Sequence, residues 1–464
     1  SNLSVGSKNA SNALCAACNL KDSMQREEIA ALSEDDKVWS LEELEATMLP
    51  AHASSKAGRD VIFAWLAKYQ EAKASGQQAI NGTVGSLLED NGDLAVNPVV
   101  SDTLRKQADL EMSAYAPLPG LPHFRTMVQE LSMGDGLSDI QQHGIHTDAI
   151  ITPGGTGALY MSARNLLAPG DAVLLRELHW GPYNTICNEC GITTATWPLT
   201  GKESQVDEEA LTSMLSQLMK DQDNVLSWLN DPAHNPTGMS LTAESRARVL
   251  DIFAEAARNN PDKGVTLFID GAYAAYSKEH HGWGNTLAEF SKECIWPGNL
   301  LVCFGFSASK SHTLYGQRCG ALMLLHPNRA FIDRLIEVML HTGRGTWSGA
   351  ARLPQATLHS IHSDVDKFVG WLRERDRLQQ MLTKRRQLFN DRCEKEGVPI
   401  LPSHDGYFAF LPHETPEPIA QAAAARGLYV VPLKGGIRIG LCSIPTYNAD
   451  RAAGILAEAW RISA

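Results

Sequence analysis

The chain has 464 residues, 44% of them hydrophobic and 20% charged, enough to bury a large core and more than one domain. Its 41 basic and 53 acidic residues give a net charge of −12, which repels nucleic acid and anionic membranes and makes neither an expected partner. No apolar run has bilayer-spanning length, the first residues lack the basic-then-apolar order of a signal peptide, and nine scattered cysteines read as reduced thiols, so a cytoplasmic location is expected.

In chain order, residues 1–30 are rich in Ser, Asn and Ala, with little periodicity, and read as an N-terminal extension. Cys15/Cys18 and Cys187/Cys190 have the C-x-x-C spacing of structural zinc ligands. The second pair falls in a helical run, Tyr183–Cys190, that stops at Gly191, so core thiols are the reading preferred over a metal site. From about Ala149, short apolar runs alternate with amphipathic segments, the signature of an α/β domain. Strands are expected at Asp148–Thr152, Ala172–Leu175, Val225–Leu229, Val265–Ile269, Leu300–Phe306 and Ala321–Leu325. Leu211, Met214, Leu215 and Leu218 fall at helical spacing, as do Val249, Leu250, Phe253 and Ala257. One long charged helix is expected from about Asp364 to Glu396, with Phe368, Leu372, Leu378, Leu382 and Phe389 as its buried stripe. Tyr407–Leu411 and Ile437–Cys442 then read as strands of a second domain. The expected organisation is a large, mostly parallel-sheet α/β domain over 96–363 and a smaller α+β domain built from both chain ends, 31–95 and 364–464.

Four strand-to-loop junctions carry the chemistry. In FGFSASKSHTLYGQR a strand runs into a serine-rich turn containing Lys310, and Arg318 follows eight residues later. Alone, Lys310 is a solvated side chain in a polar turn. In FIDGAY a strand ends on Asp270, placing a carboxylate at the sheet edge where open α/β sheets bind ligands. DPAHNPTG, with Asn235, is a strong turn signal after another strand. TPGGTGAL, with Gly155 and Thr156, joins a strand to a helix whose N–H groups could approach a phosphate.

Together, and in this order, these segments resemble the class I/II aminotransferases of fold type I, the aspartate aminotransferase-like family, from roughly Asn81 to Cys442. The resemblance implies that Lys310 holds pyridoxal 5′-phosphate as a Schiff base and later moves a proton at the substrate Cα. It implies that Asp270 keeps the pyridine nitrogen protonated. Tyr273 and Asn235 would hydrogen-bond the ring oxygen, and Trp180, in LHWGPY, would stack on the ring. Gly155, Thr156, Ser307 and Arg318 would hold the phosphate, and Tyr115, in AYAPLPGL, would reach the same phosphate across a dimer interface. Gly154 departs from the pattern, since several family members carry a serine there.

For substrate, Arg438 in GIRIGL matches the arginine that binds the α-carboxylate, with Gly85 and Asn235 beside it. Leu87 and Leu88 replace a Tyr-Arg pair frequent in the family. Arg344, in TGRGTWSG, matches an arginine given by the neighbouring subunit to a distal carboxylate; one that swings aside for aromatic substrates, or a structural arginine, is the alternative. The implied activity is ping-pong transamination between a dicarboxylic or aromatic L-amino acid and a 2-oxo acid such as 2-oxoglutarate, in a homodimer. A lyase or synthase on the same scaffold is the second reading. A non-catalytic regulator is the third, and the residues before Asn81 lack the basic character it needs.

Overall fold

A computed structural model describes residues 39–56, 58, 60–199 and 206–463. The 1–30 extension and the Cys15/Cys18 pair lie outside the described residues. The chain divides into two compact units, residues 1–59 and 60–464. In the first, Ser40 caps the short helix Leu41–Met48 by a capping box with Glu43, and the helix Ala51–Ser54 follows. The part of the expected 31–95 segment that precedes residue 60 is therefore counted with a unit of its own.

The second unit is organised by a seven-stranded sheet. Its strands are β2 (His146–Pro153), β3 (Ala172–Arg176), β4 (Thr193–Trp197), β5 (Asn224–Asn230), β6 (Gly264–Asp270), β7 (Leu300–Ser307) and β8 (Cys319–His326), after a short β1 (Ile80–Asn81) elsewhere. The order is β2-β8-β7-β6-β5-β3-β4, and every pairing is parallel except those of β8 with β2 and β7. The central strands are buried along both faces, which is why VLLR, VLSWLN and LLVCFGFS read as continuous apolar runs. One face packs on Leu174, Leu229, Leu267 and Phe304; the other on Val173, Trp228, Phe268 and Leu322.

All six expected strands are present. Strand β4 was not foreseen, because TTATW is an edge strand with mostly exposed polar side chains and no apolar run. Cys187 and Cys190 are buried thiols on the helix Pro182–Cys190, which ends on Gly191 in the left-handed region, and they pack into the sheet's core.

A smaller core collects around the antiparallel sheet β11 (Val431–Leu433), β12 (Gly436–Gly440) and β9 (Phe408–Pro412). The helix Val61–Ala74 joins this core through Trp65 and Ala72, and β1 pairs with β10 (Leu428–Tyr429). The long helix spans Val365–Glu396, capped by Asp364 at one end and by left-handed Gly397 at the other. Leu378, Leu382 and Phe389 are buried as expected; Phe368 and Leu372 are half-buried, packing on one side against the small cluster of Val100, Ile361 and Trp371 and lining a cavity on the other. The expected strand Ile437–Cys442 stops at Gly440 and turns through a 3₁₀ segment. No described helix is long and apolar enough to cross a membrane.

Candidate active site

Strands β2, β3, β5, β6 and β7 all end at one edge of the sheet, and a cavity of about 430 Å³ opens there. Strand β7 ends on Ser307, whose side chain accepts a hydrogen bond from the Ser309 N–H at 3.3 Å and starts the one-turn helix Ala308–Ser311. That turn aims Lys310 into the cavity. Its Nζ donates to the Gly85 carbonyl at 3.1 Å and lies 4.7, 5.5 and 5.7 Å from the rings of Tyr315, Tyr273 and Tyr407. Burial is the main influence on the ammonium; the Cys442 thiol opposes it and Arg318 and Arg438 add to it, so the pKa falls to about 8.

Asp270 closes β6. The Tyr183 hydroxyl donates to its Oδ2 at 2.5 Å and the Ala272 N–H to its Oδ1 at 3.1 Å. Burial raises its pKa, and these two hydrogen bonds hold it partly down. At the end of β5, Asn230 accepts from the Asn235 N–H at 2.7 Å and donates to the Asp270 carbonyl at 2.9 Å, tying the Asn-Pro turn to the neighbouring strand. Asp231 accepts from Leu241 N–H and Trp283 Nε1, each at 2.8 Å, and fixes the other side of the loop. Asn235 Nδ2 then reaches the Tyr273 hydroxyl at 3.4 Å, and burial raises the pKa of that phenol.

Gly155 and Thr156 sit in the first turn of the helix Gly154–Leu166, where free N–H groups and the helix dipole favour an anion. Arg318 lies opposite, donating to Ser309 Oγ at 3.1 Å and the Tyr315 carbonyl at 2.9 Å. This explains the glycine at 154. Its φ is +72°, and a Cβ there would run into the Arg318 guanidinium. On β12, Arg438 is only 2% exposed, lies 4.5 Å over the Phe408 ring and donates to the Thr83 carbonyl at 2.7 Å. Its Nε has no hydrogen-bond partner among the described residues, and burial lowers its pKa. Trp180 and Gly85 complete the lining.

The structure thus brings Gly85, Gly155, Thr156, Trp180, Asn235, Asp270, Tyr273, Ser307, Lys310, Arg318 and Arg438 to one cavity. Tyr115 and Arg344 are not among its lining residues. Tyr115 is 95% exposed, and Arg344 bonds Ser348 at 2.8 Å on an exposed helix end. Sequence reasoning missed Tyr183, Asn230, Ser309 and Tyr315. Tyr183 had a readable signal, standing three residues after Trp180 at the start of the same helix. Tyr315 had none, since its partners, Leu87 N–H at 3.0 Å and Tyr407 Oη at 2.8 Å, come from distant segments. Asp60, Ile62 and Phe63 also line the cavity and were not foreseen.

A mostly parallel sheet with one reversed strand, a smaller α+β domain and a lysine set among aromatic rings at the strand ends define a fold type I transferase. Residues 78–456 match the family model of the class I and II aminotransferases, and the chain belongs to that family, an enzyme family dependent on pyridoxal 5′-phosphate. The aromatic-amino-acid aminotransferase of Paracoccus denitrificans is 26% identical over 86% of this chain and 96% of its own. The cytoplasmic aspartate aminotransferase of Dictyostelium discoideum is 22% identical over 82% of this chain and 84% of its own. Among solved structures, an aminotransferase from Anaerococcus prevotii is similar with a TM-score of 0.82 and 27% identity, covering 89% of this chain and 98% of that one. The aromatic-amino-acid aminotransferase of Burkholderia pseudomallei, covalently bound to pyridoxal phosphate, gives a TM-score of 0.71 at 21% identity, covering 89% and 100%.

Proposed function

We propose that the Lys310 cavity binds pyridoxal 5′-phosphate and moves an amino group between an L-amino acid and a 2-oxo acid, with dicarboxylic or aromatic amino acids as donors. The observation that carries this is the convergence of one lysine, one buried carboxylate and two separated anion subsites. Gly155, Thr156, Ser307, Ser309 and Arg318 form a cradle suited to a phosphate, and the unpartnered Nε of buried Arg438 suits a substrate carboxylate. Bound there, the cofactor supplies a ring that accepts the electron pair released at the substrate Cα.

The chain's own groups do the rest. Lys310, with its pKa pushed down to about 8, presents a far larger neutral fraction than an ordinary lysine for attachment and for taking and returning the Cα proton. Asp270, buried and held by Tyr183, supplies the negative charge that keeps the pyridine nitrogen protonated. Tyr273 and Asn235, already within 3.4 Å of each other, would hold the ring oxygen, and Trp180 would pack on the ring. Arg438 orients the α-carboxylate so that the Cα–H bond faces Lys310. Tyr115 and Arg344 act in the partner's cavity of a homodimer, Tyr115 on the phosphate and Arg344 on a distal carboxylate. Their exposure, away from the cavity of their own chain, supports this.

The test is a half-reaction. A donor amino acid with no oxo acid should discharge the cofactor's absorbance stoichiometrically, and 2-oxoglutarate should restore it. Release of ammonia and pyruvate without an acceptor would establish a lyase instead.

A further inference from the structure

A second cavity, of about 300 Å³, lies on the other side of the Lys310 turn. Ala272 and Ser307 line both cavities and form the partition between them. Its apolar walls are Phe304 and Phe306 from β7, Leu131, and Phe368, Trp371 and Leu372 from the long helix. This volume far exceeds the roughly 30 Å³ of a single water, and close-packed interiors do not leave such gaps by default. Aromatic rings on two sides favour a flat occupant, and the size suits one or two fused rings.

The polar groups indicate its charge. Among the described residues none lining it is acidic, and the one formal charge is the Arg375 cation, 5.5 Å from the centroid of the Trp371 ring. Arg375 spends Nε and Nη2 on Asp376, its neighbour on the helix, at 3.1 and 2.6 Å. Its Nη1 has no hydrogen-bond partner among the described residues. Ser132 is 4% exposed, and its hydroxyl is likewise unpartnered. A buried hydroxyl left unpaired costs stability unless something meets it.

Ser307, Ser311 and three histidines supply the remaining polar lining. His312 is buried, stacks on Trp371 at 4.8 Å, and shares a hydrogen bond of 2.9 Å with His362, which lies just behind it. His280 and His281 complete the wall. Burial is the main reason all four lie below the ordinary imidazole value: His281 and then Arg375 add to it at His280, where Asp376 opposes; Arg375 adds to it at His281, where the Leu131 backbone and Asp135 oppose; His362 and then Arg375 add to it at His312, and His359 at His362. They therefore stand as neutral hydrogen-bonding rings and leave the arginine as the charge that selects.

We propose that this cavity is a second small-molecule site, distinct from the Lys310 cavity, that takes a flat aromatic monocarboxylate. The rings lie between Phe306 and Trp371, and the carboxylate meets Arg375 and Ser132. Because Ser307 and Ser311 of the Lys310 turn are part of its wall, an occupant rests against the turn that aims the catalytic lysine.

The probe is naphthalene-2-carboxylate, titrated calorimetrically into the cofactor-loaded full-length enzyme, with the neutral carboxamide as its counterpart. Expected are saturable binding of the carboxylate and at least tenfold weaker binding of the carboxamide, a comparison that needs no variant. Arg375→Gln and Leu372→Trp should each weaken the carboxylate at least tenfold, whereas Arg438→Gln should leave it unchanged. Absence of binding overturns the proposal, as does equal affinity for acid and amide. Binding lost in Arg438→Gln but kept in both cavity variants also overturns it, because the probe then sits beside Lys310.

Discussion

The hydrogen bond from Tyr183 to Asp270 gives the most direct measure of how the site is tuned. Tyr183→Phe removes one oxygen and keeps the ring, which packs edge-on against Trp228 at 5.1 Å and Trp180 at 5.7 Å. What is lost is the 2.5 Å hydrogen bond, leaving the buried carboxylate with only the Ala272 N–H. A hydrogen bond to a charged, buried acceptor contributes about 1.5–3 kcal/mol, and because it is present before the cofactor binds, roughly 10- to 150-fold is the upper bound on the fall in cofactor affinity. The pKa has a definite sign. Burial already raises Asp270 and the Tyr183 bond lowers it, so its loss raises the carboxyl further. The ionised carboxylate is the working form, so the acid limb of kcat/KM should move to higher pH. Fluorescence titration of the apoprotein with pyridoxal phosphate and a pH profile of the loaded enzyme read the two effects separately. Affinity and acid limb both within twofold of wild type, in a background where Asp270→Asn abolishes activity, would refute the reasoning.

Lys310 is buried and its amine is pushed down to about 8, so covalent capture of pyridoxal phosphate by the apoprotein should accelerate as pH rises and level off above a midpoint near that value. Stopped-flow absorbance reads this, and Lys310→Ala should bind the cofactor without the covalent change. Arg438→Gln removes the buried guanidinium and should raise KM for every amino acid, by about tenfold or more. Arg344→Leu should depress kcat/KM selectively for dicarboxylic donors if the distal-carboxylate role holds, and an equal loss for all donors would instead mark a structural arginine. Gly154→Ser should weaken cofactor binding, because the new Cβ meets Arg318 at a positive φ; a left-handed non-glycine residue costs about 1–2 kcal/mol before the collision is counted. Equilibrium dialysis measures that loss.

What could be read in advance follows from where each residue's reasons lie. Strands β5 to β7 announce themselves because both faces of a parallel sheet are buried, and each ends on a polar residue at a turn, Asn230, Asp270 or Ser307. The cofactor-site residues stand at such junctions, so a motif of local residues marks them. Strand β4 lacks a buried second face and therefore lacks the apolar run. Tyr315 matters through Leu87 and Tyr407, 228 and 92 residues away, and no local spacing encodes those partners. Phe368 and Leu372 have the helical period of a core stripe, but period cannot distinguish a core from a cavity wall.

The charges of the Lys310 cavity also explain why its motif identifies a reaction better than a substrate. Its cations are Lys310, Arg318 and Arg438, and its carboxylates are Asp60 and Asp270. Asp60 is engaged in capping the helix Val61–Ala74 through the Ile62 N–H at 2.8 Å, and Asp270 is held by Tyr183 and Ala272. Among the described residues Arg318 and Arg438 therefore make no ion pair; Asp60 only partly offsets the charge of Arg438 from a distance, and each guanidinium can still take an anion, one a phosphate and the other a carboxylate. Every amino acid bound to the same cofactor brings those two anions, so the strand-end residues serve all donors alike. Discrimination must come from groups that meet the donor's side chain. Ile62 and Phe63 enter from the start of a helix outside the parallel sheet, and Arg344 stands outside the cavity of its own chain. Substitutions at those positions, rather than at the strand ends, should redirect the enzyme from one amino acid to another while leaving its chemistry intact.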